Sequence, residues 1–198
     1  MAIGADKKLY DASSSKQLNA DDDPKCLIVI DAPNVAMRHG FHKKFSCIGI
    51  RLAIEYFVQR GHRVVGFLPD YLVEGDQVGE RKRMQSAGID VPASKIPDNV
   101  ALLQRLVEDG LLIPTPAQDY DDTYCIQYAG NHDGCVVTND LYRDHVENMT
   151  GPRERKVAMR SWLTAHRISY TWVGNEFLPN PNFSTDNQPV IEPLSTPI

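Results

Sequence analysis

Cys26–Leu27–Ile28–Val29–Ile30–Asp31–Ala32–Pro33–Asn34 is the segment around which the rest of the chain is arranged. An apolar run without alternation, stopped by an acid and then a proline, describes a strand covered on both faces, as strands of parallel sheets are. Ligands of such sheets collect at the carboxyl ends of the strands, and Asp31 stands at that end. Outward from it, the chain supplies more strands of this kind and more acids.

On the N-terminal side, residues 1–25 are polar, contain Ser13–Ser14–Ser15 and Asp21–Asp22–Asp23, and show no periodicity, which reads as a mobile leader. On the other side, a loop rich in His, Arg and Lys follows Asp31. Ser46 is placed to cap a first helix with Ile50, Ala53, Ile54, Phe57 and Val58 at helical spacing. Val64–Leu68, closed by Pro69, is the second strand. Residues 70–97 carry Gly75, Gly79, Gly88, Pro92 and Pro97 around Arg81–Lys82–Arg83, and the spacing predicts a long loop leaving the sheet. Asp98 is placed to cap a helix ending near Asp109, and Leu111–Ile113 is the third strand. Tyr120–Asp121–Asp122 opens the next helix, where acids suit the positive end of the macrodipole. Cys135–Thr138 is the fourth strand, ending at Asn139–Asp140; a helix starting there puts Asp140 and Asp144 on one face. A helix over 153–165 and a strand over 169–173 complete the domain. Five prolines in residues 179–198 predict a tail.

The alternation of strand and helix predicts the α/β class: a mainly parallel five-stranded sheet with right-handed crossovers. The domain is expected over residues 26–180, between the leader and a Pro-rich tail over 181–198. With strand order 3-2-1-4-5, strands one and four meet at the topological switch point. Asp31 and Asp140 then converge, with Asp121 and Asp122 on a helix start nearby.

At 198 residues, 42% hydrophobic and 24% charged, the chain is an ordinary globular length and composition. Its net charge of −5 argues against coating nucleic acid by bulk charge, but five acids belong to the proposed site, and the remainder is neutral. Four cysteines, Cys26, Cys47, Cys125 and Cys135, form no CxxC pair, which fits reduced thiols in an intracellular protein. His39, His42 and Cys47 lack an evident fourth zinc ligand. With no signal core and no run of bilayer length, a soluble, cytoplasmic protein is expected.

Asp31, Asp121, Asp122, Asp140 and Asp144 at one sheet edge would repel one another unless a cation sat among them. Mg2+, with Mn2+ as the alternative, suits a few carboxylates and several waters, and could activate a water for in-line attack on a phosphodiester. Asn34 is placed to fix a phosphate oxygen or a metal-bound water. Each acid also has a purely structural reading: a helix-start charge for Asp121 and Asp122, a cap for Asp140, a solvated charge for Asp144. Lys43, Lys44, Arg81, Lys82, Arg83 and Arg143 are the candidate phosphate contacts, though singly such residues are more often surface charge or, for Arg143, an ion-pair partner. Rival enzymes lack their marks: no G-x-G-x-x-G follows strand one, Pro33 stands where an aspartyl-phosphate enzyme needs a second Asp, and Val173–Gly174–Asn175 stands where a receiver domain needs a lysine.

Ile28–Met37 with His39–Gly40 and Phe45–Ser46–Cys47, then Tyr120–Asp121–Asp122, then Asp133–Asp140 with Tyr142–Arg143–Asp144, and last Val173–Pro179, resemble in this order the motifs of the Regnase-type (NYN domain) ribonucleases of the PIN-like nuclease group. The resemblance implies a Rossmann-like PIN sandwich and magnesium-dependent endonucleolytic cleavage of single-stranded or loop RNA in mRNA turnover or silencing. It implies Asp31, Asn34, Asp121, Asp122, Asp140 and Asp144 as the catalytic site, with Asp31, Asp122, Asp140 and Asp144 on the metal. It also implies weak head-to-tail homodimers and protein partners of an RNA-decay or silencing complex. Ala32–Pro33 replaces the family's usual Gly-Ser, and Ile48 its usual Arg. The alternative function is a catalytically weak RNA-binding scaffold that recruits partners.

Overall fold

The computed structural model describes residues 26–116 and 121–183. Strand β1 (Leu27–Asp31) is buried along its whole length. It is flanked by β2 (Arg63–Pro69) and β4 (Cys135–Val137), with β3 (Leu112–Thr115) and β5 (Arg167–Ile168) outside them. The order is β3-β2-β1-β4-β5 with every pairing parallel, as the alternation predicts.

The missing alternation in β1 follows from what covers it. Ile28 and Ile30 point into a core built with α1 (Ala32–His39), α2 (Cys47–Val58) and α4 (Val100–Glu108). Leu27 and Val29 point into a second core with α5 (Asp121–Asn131), α6 (Arg143–Asn148) and α7 (Arg153–His166). Both faces of the strand are apolar because both are roofed by helices. Among the described residues no helix is long and apolar enough to cross a membrane.

Four expectations are corrected. The stretch after Asp31 starts as helix α1, not as a loop, and only His42, Lys43 and Lys44 of its basic residues lie on the turn that follows. Pro33 is harmless in a first turn, Asp31 Oδ1 accepts from the Asn34 N–H at 3.1 Å as N-cap, and Ala32, Val35, Ala36 and His39 form the buried stripe. Residues 70–97 are not one loop: they hold short 3-10 turns at Asp70–Leu72 and Ala93–Lys95 and a helix, α3 (Gly75–Ser86). Only Val78 of α3 is buried, so the helix lacks the apolar periodicity that would announce it.

The helix caps are exchanged. Asn99, not Asp98, caps α4 through the Leu102 N–H, while Asp98 Oδ1 accepts from the Cys47 N–H at 2.8 Å and so caps α2. Ser46 precedes α2 as expected, but its hydroxyl lies 2.8 Å from His39 Nδ1 instead. The last strand of the main sheet is the two-residue β5. The segment predicted as that strand forms β6 (Tyr170–Val173), which pairs antiparallel with β7 (Glu176–Pro179) in a separate hairpin. The hairpin's Tyr170, Trp172 and Phe177 pack as an aromatic cluster against α1 and α2. Pro179 thus belongs to a strand; the leader, residues 1–25, and the rest of the tail from 184 on lie outside the described residues.

Candidate active site

The register of the central strands builds the floor of the site. Ile30 pairs with Val137, so Asp31 and Thr138 emerge side by side at the carboxyl edge. Thr138 donates to Asp31 Oδ2 at 2.8 Å and accepts from the Asp140 N–H at 3.1 Å, linking two of the predicted acids through one hydroxyl. Asp31, only 8% exposed, also receives the Tyr142 hydroxyl at 3.5 Å. Asp140 Oδ1 in turn accepts from the Tyr142 N–H at 2.7 Å, bracing Tyr142 in the left-handed region at φ 51°.

Asn34 is held as firmly. Its Oδ1 accepts from the Tyr170 hydroxyl at 2.7 Å and from the Asn139 N–H at 3.0 Å. Two donors on Oδ1 fix the orientation of the carboxamide, which lines the cleft. Asn139 reaches across to Tyr170 through both its amide atoms, at 2.9 and 3.0 Å. The β6–β7 hairpin, though outside the sheet, therefore sets the orientation of a site residue. Burial, and next the negative charge of Asp31, push the Tyr170 hydroxyl well above its ordinary range, while Arg38 pulls the other way. Tyr170 stays a proton donor.

Above this floor opens a cleft of about 390 Å³, lined by Asn34, Arg38, His42, Asn139, Asp140, Leu141, Tyr142, Arg143, Asp144 and His145. Asp140 and Asp144 stand exposed in its wall. They share the cleft but not a helical face, because α6 starts only at Arg143, after the left-handed Tyr142. Burial lowers the His145 pKa, favouring its neutral form.

Of the predicted site residues, the structure thus brings together Asp31, Asn34, Asp140, Asp144 and Arg143. Asp121 and Asp122 open α5, which runs back from the carboxyl edge of the sheet; their side chains lie outside the described part of the structure. Tyr124, in the same first turn, stacks on Phe67, the register partner of Asp31. The remaining predicted cations do not line the cleft. Lys43 and Lys44 sit on the turn after α1, Lys44 at 4.0 Å from Asp98. Arg81, Lys82 and Arg83 are on α3, and Arg81 is committed to Tyr71, donating to its carbonyl and lying over its ring. The zinc alternative fails on geometry: both His39 ring nitrogens face side-chain partners, Ser46 and Asn175. Burial, opposed by the Asn99 N–H and reinforced by Asp98, pushes the Cys47 thiol up to about 12.

Sequence reasoning missed Arg38, His42, Thr138, Tyr142, His145 and Tyr170. Arg38 could have been found had Ala32–His39 been read as a helix, since it lies one turn beyond Asn34. Thr138 follows from continuing the strand pairing one residue. Nothing local marks Tyr170.

Asp31, Asp140 and Asp144 offer only oxygen donors, the chemistry of Mg2+ or Mn2+. Among the described residues no three of His, Cys, Asp and Glu form a cage. Mg2+ does not need one, since it takes one or two carboxylates and keeps several waters. The donor set fits such an ion.

The fold is shared with two solved structures of the nuclear proteinaceous RNase P 2 (PRORP2) of Arabidopsis thaliana. One matches at 20% identity with a TM-score of 0.54 and the other at 19% with 0.51, each over 80% of this chain and 30% of that one. The chain thus spans about 30% of the length of the solved proteins it matches. The family model of the Zc3h12a-like ribonuclease NYN domain matches residues 24–192, which takes in every strand and helix described above, and the chain belongs to that family.

Proposed function

We propose that this domain is a divalent-metal-dependent endoribonuclease that hydrolyses phosphodiesters of single-stranded or loop RNA. The observation that carries the reading is Asp31: a buried carboxylate at the switch point, held by Thr138 and the Asn34 N–H beside the exposed Asp140 and Asp144. Ribonuclease-family membership supports the same chemistry.

Asp31, Asp140 and Asp144, with Asp122 from α5, would hold Mg2+, which supplies Lewis-acid activation of water and neutralises charge on the phosphoryl oxygens. The chain's own residues do the rest. Asp31 enters with its orientation prepaid by Thr138 and the α1 N-terminus, so little reorganisation accompanies the reaction. Arg38 and Arg143, which both line the cleft, hold the phosphate electrostatically. Asn34 presents its carboxamide to the reacting group, oriented by Tyr170 and Asn139. A cytoplasmic role in mRNA turnover or silencing, with protein partners of such a complex and weak homodimerisation, belongs to the same proposal.

The test is incubation of a structured RNA with the purified protein, in Mg2+ or in chelator, beside Asp140→Asn. The asparagine keeps an acceptor for the Tyr142 N–H, so the turn survives while the charge is lost. Cleavage is expected with Mg2+ and absent in chelator and in the variant. Cleavage that persists in either condition overturns the assignment, and binding without cleavage in Mg2+ favours the scaffold alternative.

A further inference from the structure

The turn joining α1 to α2 carries an apolar ring that packs against neither core. Phe41 is 72% exposed, the highest value among the large hydrophobic residues described. It is also in the left-handed region at φ 55°, and His42 follows at 60°. For a bulky side chain this conformation is a genuine outlier that costs free energy, so the surrounding structure must impose it.

The turn is tightly wound. The Phe41 N–H donates to the Arg38 carbonyl at 3.1 Å, the His42 N–H to Met37 at 2.7 Å, and the Lys43 and Lys44 N–H groups to Gly40 at 3.0 and 3.3 Å. A Cβ on Gly40 would fall 1.9 Å from the Lys44 carbonyl oxygen, so only glycine permits this winding. The result is a rigid mount that turns Phe41 away from the core and His42 toward the cleft.

Its surroundings select the ligand. Arg38, His42, Lys43 and Lys44 lie within three residues of Phe41, and Arg38 and His42 line the same cleft as the acids. Among the described residues Arg38 and Lys43 make no ion pair. Leu141, 45% exposed, adds an apolar side chain to the cleft lining. An aromatic face among uncommitted cations, next in the chain to His42 of a cleft roomy enough for a phosphate and its sugar, is the pattern of a single-strand platform.

We infer that Phe41 is a base-stacking subsite: it takes the face of an unpaired nucleobase next to the phosphate held in the cleft, and so contributes to the selection of single strands over duplex, whose base faces are already occupied. This rests on the proposed function for the placement of the phosphate, but not on catalysis.

The test measures anisotropy of a 5′-labelled decaadenylate, and of an abasic ribose-phosphate chain of equal length, in chelator, with wild type, Phe41→Ala and Phe41→Trp. Phe41→Ala should bind decaadenylate about five- to a hundred-fold more weakly and the abasic chain equally well, with an unchanged salt slope, since stacking and not a phosphate contact is lost. Phe41→Trp should stay within about two-fold of wild type. Because the ring is exposed, melting temperatures should barely move. Equal decaadenylate affinity in wild type and Phe41→Ala, an equal loss on the abasic chain, or no binding by wild type overturns the platform. A mass change in Phe41→Ala without an affinity change also overturns it, by assigning the ring to a second copy of the chain. The cleavage assay in Mg2+ is scored separately: Phe41-dependent binding without cleavage defeats the nuclease reading alone, and cleavage with Phe41-independent binding defeats the platform alone.

Discussion

The floor and the rim of the cleft are built on opposite terms. On the floor, Asp31, Asn34, Thr138, Asn139 and Tyr170 are satisfied by one another across β1, β4, α1 and the β6–β7 hairpin. On the rim, Arg38, Leu141 and Arg143 are exposed, as is Phe41 next to the lining residue His42, and their side chains form no hydrogen bond or ion pair among the described residues. Buried polar groups must be paired within the protein, whereas exposed charged and apolar groups remain available to a ligand. The floor should therefore govern turnover and the rim affinity.

The largest effect expected from this division is at Asp31. Asp31→Asn keeps an acceptor for the Asn34 N–H but sets an NH2 against the Thr138 and Tyr142 hydroxyls, so stability should fall by about 1–3 kcal/mol while the fold persists. Cleavage should fall at least about 10²-fold, the scale of losing one preorganised electrostatic contact. A variant that cleaves normally would remove Asp31 from the chemistry and collapse the distinction between floor and rim.

Tyr170→Phe sharpens the comparison from a distance, because Tyr170 acts only through Asn34. Loss of its 2.7 Å bond should cost about 1 kcal/mol of stability. Through a misoriented Asn34 it should lower kcat about ten-fold with little change in KM. An alkaline signature accompanies it. The folded hydroxyl titrates well above the ordinary 10.0, by burial and by Asp31, so above pH 10 the unfolded chain holds fewer protons than the folded one. Wild-type stability should therefore fall as pH rises past 10, by up to about 1.4 kcal/mol per pH unit from this group, and denaturant melts of Tyr170→Phe should lack that component. Parallel pH profiles for the two proteins would contradict it.

The smallest effects belong to the rim. Arg38→Ala and Arg143→Ala should each flatten the slope of log affinity for single-stranded RNA against log salt by about 0.7. Neutralising Lys82 and Arg83 should leave the slope unchanged, because α3 lies apart from the cleft lining. If the α3 cations carry the salt dependence instead, RNA runs over a different face and the rim is misplaced.

Much of the floor was legible. The unbroken apolar β1, the strand order and the placement of Asp31 and Asp140 at neighbouring strand ends follow from patterns whose periods are local. Helix α3 was not legible because a helix with Val78 as its sole buried residue has no apolar stripe to read. Arg38 was missed because the prolyl start of Ala32–His39 and the cations that follow it, His42, Lys43 and Lys44, disguised the helical stripe of Ala32, Val35, Ala36 and His39. The exchange of caps, Asp98 serving α2 across 51 residues, has no local signature at all.

By itself, then, the sequence determined the parallel α/β sheet, the acids at its switch point and the family to which the motifs point, because hydrophobic period and strand-end chemistry are properties of consecutive residues. Only the tertiary structure decided that Thr138 bridges Asp31 and Asp140, that a hairpin 136 residues away orients Asn34 through Tyr170, and that Arg38 rather than the α3 cations faces the acids. Those contacts join side chains far apart along the chain, and their geometry exists only once both hydrophobic cores have closed around the sheet.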